Sequence, residues 1–151
     1  MKALSLLFVF MMLELTPVAA VKSNSSALAP VTAFFADYNK HDIQAASALF
    51  DQELSVTDAF PPFDWPGKNA FTEWMSDLDS YNSSNRYTDY DFKVGKPLTN
   101  DVKGEHANVI VPIMLDLKRD GKPERFAGLA NVVLQENSSS WKITAFTWTP
   151  K

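Results

Sequence analysis

The chain contains no cysteine. Disulfides, cysteine–zinc centres and thiol chemistry are therefore excluded. Histidine is scarce as well: His41 and His106 stand alone, with no partner at metal-ligand spacing. They read as surface or capping residues, and neither a metal site nor a cofactor is expected. Positive charge is in deficit, with 14 Lys and Arg against 18 Asp and Glu and a formal charge of -4. No basic patch is visible, so no nucleic-acid partner is expected. A long apolar run is also lacking. Ala3 to Leu13 is too short to span a membrane and is interrupted by Glu14.

What that run does fit is export. Lys2 precedes it, and Val18-Ala19-Ala20 supplies small residues for cleavage before Val21. Residues 1–20 read as a secretory signal peptide, with a retained N-terminal anchor as the alternative. No cysteine follows to carry a bacterial lipid anchor. The mature chain is expected to be secreted or periplasmic, without a membrane span after cleavage. Residues 21–26 form a polar lead-in. Residues 27–150 make one domain, large enough to bury a core without staples. Asn24, Asn82 and Asn137 open N-x-S sequons in stretches that read as tail or loop. In a eukaryotic secretory pathway they would accept glycans; in a bacterium they would be ordinary polar positions.

Periodicity divides the domain into an α part and a β part. Leu28, Val31, Phe34, Phe35 and Tyr38 recur at helical spacing over about 27–39, with Pro30 in a tolerated first-turn position. Asp42 is a candidate N-cap for a second helix over 43–50, with Ile43, Ala46, Leu49 and Phe50 as its buried stripe. A short strand, 54–58, ends at Asp58. A proline-rich aromatic turn follows and closes at Gly67. A third helix spans about 68–81, and Asn82-Ser83-Ser84-Asn85 reads as the loop that ends it. Strands are expected over 86–94, 107–118, 124–135 and 141–149. Asp120-Gly121 marks a tight hairpin between the second and third of these. The sum is an α+β roll, three helices covering the apolar face of an antiparallel sheet.

Asp58 is the most informative residue. It lies beside Phe60, Phe63 and Trp65, and apolar surroundings disfavour a charged carboxylate. Such a group can transfer protons. The alternative is structural, since an Asp at a strand end often accepts backbone N–H bonds from the next turn.

The order helix, helix, strand ending in Asp58, turn with Trp65 and Gly67, helix with Ala70-Phe71 and Trp74, then a long antiparallel sheet resembles the nuclear transport factor 2-like superfamily. Within it the chain is similar to the secreted SnoaL-like branch. Asn39-Lys40-His41-Asp42, Asp58-Ala59-Phe60-Pro61-Pro62, Gly121-Lys122-Pro123-Glu124 and Trp141-Lys142-Ile143 with Trp148 carry the resemblance. It implies a curved, mostly antiparallel sheet wrapped on helices, with a conical pocket at one end. Ketosteroid isomerases, scytalone dehydratase and polyketide cyclases use that pocket for catalysis. Other members bind ligands, dimerise or serve as interaction modules, so fold alone does not decide function.

The resemblance places the isomerase general base at Asp58. The isomerase's first-helix tyrosine falls at Phe34 and its protonated carboxylate near Ala130, so both oxyanion donors are missing. Each is typically worth about 3–4 kcal/mol, and a steroid-isomerase mechanism of that design is rejected. Asp58 keeps a role as acid/base in another reaction. The pocket is expected to take an apolar small molecule against Phe34, Tyr38, Phe60 and Trp65. Trp74, Met114, Asn131 and Trp148 complete the expected ligand contacts, with Asn131 either in the pocket or on the exposed face. Trp141 reads as a core anchor, and Glu124 as a rim carboxylate or an ion-pair partner. Three functions stay open: a secreted small-molecule binder, a lyase or isomerase using Asp58, and an interaction module that forms a homodimer through the sheet.

Overall fold

A computed structural model describes residues 26–138 and 140–151. The expected signal peptide, its cleavage before Val21 and the sequon at Asn24 lie outside the described residues.

Helix α1 (Leu28–Asn39) buries Pro30, Val31, Phe34 and Phe35 on one face. Its start is held by Ser26 Oγ, which accepts from the Leu28 amide at 3.2 Å. His41 then takes a positive φ of 59° and turns the chain. Asp42 caps α2 (Ile43–Ser47) by accepting from the Ala45 amide at 2.9 Å.

The second helix is shorter than its apolar pattern suggests. Ile43 is 40% exposed, so it does not belong to a buried stripe. Phe50 opens strand β1 (Phe50–Thr57) instead, paired in parallel with Ile143 of the last strand. Pairing with a distant strand overrides a helical spacing that four residues alone would satisfy. The second half of the proline-rich turn is also a strand, β2 (Asp64–Gly67), antiparallel to β1. Between them the Asp58 amide donates to the Phe63 carbonyl at 3.1 Å, and the Phe63 amide to the Phe60 carbonyl at 2.9 Å.

Helix α3 (Ala70–Asn85) runs a full turn past the expected end. Asn82-Ser83-Ser84-Asn85 is helical, not a loop. Tyr81 and Asn82 turn toward the interior, and Asn85 Nδ2 donates to the Tyr81 carbonyl at 2.8 Å. Arg86, at a φ of 59°, ends the helix.

The sheet continues with β3 (Tyr87–Val94), β4 (Thr99–Lys103), β5 (His106–Arg119), β6 (Lys122–Asn137) and β7 (Ser140–Pro150). The order is β2-β1-β7-β6-β5-β3, with β4 also on β5; only β1 and β7 run parallel. β4 has no counterpart in the sequence reading, because Thr-Asn-Asp-Val-Lys carries no apolar alternation. Asp120 and Gly121 both take positive φ, as a two-residue hairpin demands. The architecture is α+β, a curved mixed sheet with helices on one face. Val109, Val111, Ile113, Ala130, Val132, Leu134 and Ile143 project to that face and are fully or almost fully buried.

Candidate functional site

The site arises from a taper along β6. Its inward residues are Leu134, Val132, Ala130 and Gly128, each smaller than the one before. Ala130 lies opposite Trp148 of β7, and Gly128 opposite Pro150. A Cβ on Gly128 would fall 2.5 Å from the Trp148 ring and 2.7 Å from the Thr149 carbonyl oxygen. The missing side chain lets Trp148 lie across the strand. Where β6 thins, the interior opens into a cavity of about 330 Å³. Such a volume is at the lower end of small-molecule sites.

Asp58, just beyond the end of β1, is the carboxylate of this cavity. Its Oδ1 accepts from the Ala59 amide at 2.6 Å, and its Oδ2 from Trp74 Nε1 at 2.9 Å. Trp74 is itself buried, so the second bond comes from inside the core. Burial pushes the Asp58 carboxyl up from its ordinary value, and the two N–H bonds oppose that shift only in part. A purely structural Asp would accept two backbone N–H bonds and face away from the cavity. Here one donor is an indole, and the carboxylate lines the cavity wall.

All four tyrosines of the chain line the same space. Tyr38, one turn beyond Phe34 on α1, has its hydroxyl pushed up to about 12, by burial first and then by the charges of Tyr90, Asp79 and Asp58. It stays protonated and can donate. Tyr90 is anchored by a 2.6 Å bond from its hydroxyl to the Tyr87 carbonyl, and burial raises its pKa too. Tyr81 stacks on Phe60 at 5.0 Å, and Tyr87 meets Tyr81 at 6.3 Å and the edge of Phe126 at 6.0 Å. The Arg119 guanidinium lies 4.7 Å over the Tyr87 ring and donates to the Tyr87 hydroxyl. Its Nε is 3.3 Å from Glu124 Oε1, at an angle that makes an ion pair rather than a hydrogen bond. Glu124 therefore acts through Arg119 on the cavity wall.

Of the residues expected from sequence, Asp58, Phe34, Tyr38, Phe60, Trp74 and Trp148 line the cavity. Three do not. Trp65 is 2% exposed, packs behind Phe60 at 5.0 Å and donates from Nε1 to Asp77 at 2.8 Å. Met114 and Asn131 sit on the outer face of the sheet, one residue out of phase with Ile113 and Ala130. A one-residue offset reverses the face of every side chain in a strand. Tyr81, Tyr87, Tyr90, Leu115, Leu117 and Phe126 line the cavity without having been singled out. For Leu115, Leu117 and Phe126 a signal was present, since they share the phase of the buried residues of β5 and β6. Of the missing oxyanion donors, Phe34 is a wall residue and Ala130 is fully buried. Among the described residues no cluster of His, Asp and Glu could hold a metal ion.

No family model and no curated protein matches the sequence. Solved structures do match in shape. A nuclear transport factor 2-like superfamily protein from Salmonella enterica serovar Typhimurium superposes with a TM-score of 0.65 and 16% identity, covering 81% of this chain and 86% of that one. A ketosteroid isomerase-like protein from Erwinia carotovora atroseptica gives 0.64 and 15% over 81% and 91%. An uncharacterised protein with a cystatin-like fold from Caulobacter vibrioides gives 0.66 and 14% over 83% and 87%. Identities this low speak for the backbone arrangement, and that arrangement, a curved sheet closed by helices around an internal cavity, is the nuclear transport factor 2-like fold.

Proposed function

We propose that the chain is a secreted protein that binds an apolar small molecule in the cavity beside Asp58. The observation that carries this reading is the cavity itself: about 330 Å³, walled largely by aromatic rings, with Asp58 as its carboxylate. Titration with N-phenyl-1-naphthylamine, followed by tryptophan quenching, tests it. Trp148→Ala should weaken the quench and Val133→Ser, on the outer face, should not. Equal effects from both would overturn the assignment of the site.

A second reading is that Asp58 acts as acid/base in a lyase or isomerase reaction. Its raised pKa and its place on the cavity wall favour this, with Tyr38 as the neighbouring neutral donor. Turnover abolished in Asp58→Asn, with probe binding intact, would establish it. Export rests on residues 1–20 and is tested by sequencing the N-terminus of exported protein, expected at Val21. The outer sheet face offers Ile110, Pro112, Leu129 and Val133 around Asn131, and a second copy of the chain is the partner proposed for it. Its strands are long and pair without a register shift over fourteen residue pairs. Sedimentation should then show a dimer that Val133→Lys dissociates.

A further inference from the structure

Asp58 is a charge without a counter-charge. None of the ion pairs among the described residues involves it, and both its partners are neutral N–H groups. No Lys, Arg or His lines the cavity. Arg119, which contacts the cavity residue Tyr87, is turned to the hydroxyl and ring of that tyrosine and to Glu124. Twelve of the twenty lining residues are aromatic, so most of the wall is built from aromatic rings. Aromatic faces carry negative potential and attract cations, most strongly where water is excluded.

We infer that the ligand is an organic monocation, a quaternary or protonated amine on an apolar body, with its charged head beside Asp58 against the aromatic wall. The inference rests on the proposed binding site and names the chemistry of its occupant. An anion would meet a carboxylate and ring faces, with no basic side chain lining the cavity. A neutral apolar molecule would fill the space but leave the carboxylate desolvated and unpaired. A cation supplies the missing charge and exploits the rings at once. The local field points the same way. Asp79 on α3 raises the pKa of both Tyr38 and Tyr90, so negative potential extends along that wall.

The test uses two probes of one shape: benzyltrimethylammonium and its neutral carbon analogue, neopentylbenzene. Binding is read by tryptophan fluorescence at low salt and neutral pH. The cation should bind at least about tenfold more tightly. That preference should vanish in Asp58→Asn. It should also fade in the unaltered chain as the pH falls through the Asp58 titration, because protonation removes the charge. The titratable and charged groups around the site are Tyr38 from α1, Tyr81, Asp77 and Asp79 from α3, Tyr87 and Tyr90 from β3, Arg119 from β5 and Glu124 from β6. Of these, Tyr38, Tyr90 and Arg119 have raised pKa values and keep their protonation over that range. Equal affinities would overturn the cation inference while leaving the apolar site standing. No binding of either probe would remove both. A preference that survives in Asp58→Asn and at low pH would overturn the pairing with Asp58. Should Asp58→Asn fail to fold, the pH series on the unaltered chain decides alone.

Discussion

The two halves of the β5–β6–β7 meander are made from the same three strands, yet one is solid and the other hollow. In the solid half, Ala107, Leu134 and Ile143 lie abreast, then Val109, Val132 and Phe146. All are buried and fill the space between sheet and helices, with Phe146 at the boundary, where it also lines the cavity. In the hollow half, Ala130 and Gly128 take the inward positions of β6, and Leu115, Leu117 and Phe126 line a void. The backbone is continuous across the boundary. Along β6 the inward side chains shrink from Val132 to Ala130 to Gly128, Trp148 takes the place a side chain at Gly128 would fill, and Phe126 then stands at the cavity wall. The difference teaches that the site is written in residue size, not in a motif.

The largest effect expected from breaking this comparison is in the solid half. Ile143→Ala should destabilise the protein by about 2–4 kcal/mol in urea denaturation, because a fully enclosed side chain leaves a cavity its neighbours cannot fill. Leu115→Ala in the hollow half should cost only about 1 kcal/mol, since it enlarges a void already present. Similar losses for both would mean that the hollow half is packed in solution. Gly128→Ala comes next. Trp148 and the Thr149 carbonyl must both yield, and the carbonyl belongs to a paired strand. A loss of about 1–3 kcal/mol is expected, together with weaker N-phenyl-1-naphthylamine binding as Trp148 swings into the cavity.

How much of this could be read in advance follows the same division. The solid half was legible, because alternation of Val, Ile and Leu fixes both strand and face. The order of elements carried the fold, and the sequence placed Asp58, Trp74 and Trp148 at the cavity they line. Met114 falls outside the cavity because it is out of phase with Val111 and Ile113, and of the two places open to Asn131 the exposed face is the one it takes. Trp65 was misplaced because its turn folds into β2 and aims the indole at Asp77. The tyrosines of the rim escaped notice because an exposed Tyr and a rim Tyr look alike along a chain. Asn82 was taken for a loop residue because serine and asparagine are poor helix formers; the interior contacts of Tyr81 hold that turn in place.

Trp74→Phe sharpens the account of Asp58 without removing it. The indole N–H lowers the Asp58 pKa, and phenylalanine keeps the ring but not the donor. The titration of Asp58, followed by carboxyl NMR, should therefore move further up. An unchanged titration would mean that Trp74 and Asp58 do not meet in solution.

The smallest effect is the pH dependence of stability in Asp58→Asn, and its sign is fixed by burial. In the folded chain the Asp58 carboxyl titrates above its ordinary value, chiefly because burial disfavours the charge. The folded state therefore binds the proton more tightly than the unfolded state does. Stability from this group is fully present below the unfolded pKa and is lost as the pH rises through the folded one. Asparagine has no such loss. It keeps one acceptor oxygen, so one of the two N–H bonds is forfeited at every pH, a constant offset of about 1 kcal/mol. On top of that offset, the variant should gain on the parent chain as the pH is raised from acid to neutral. Paired urea melts across that range isolate the slope from the offset. A difference that stays flat would mean that Asp58 is solvated and carries no special charge. A difference that runs the other way would mean that its N–H partners outweigh its burial, which would make it the anchor of a turn.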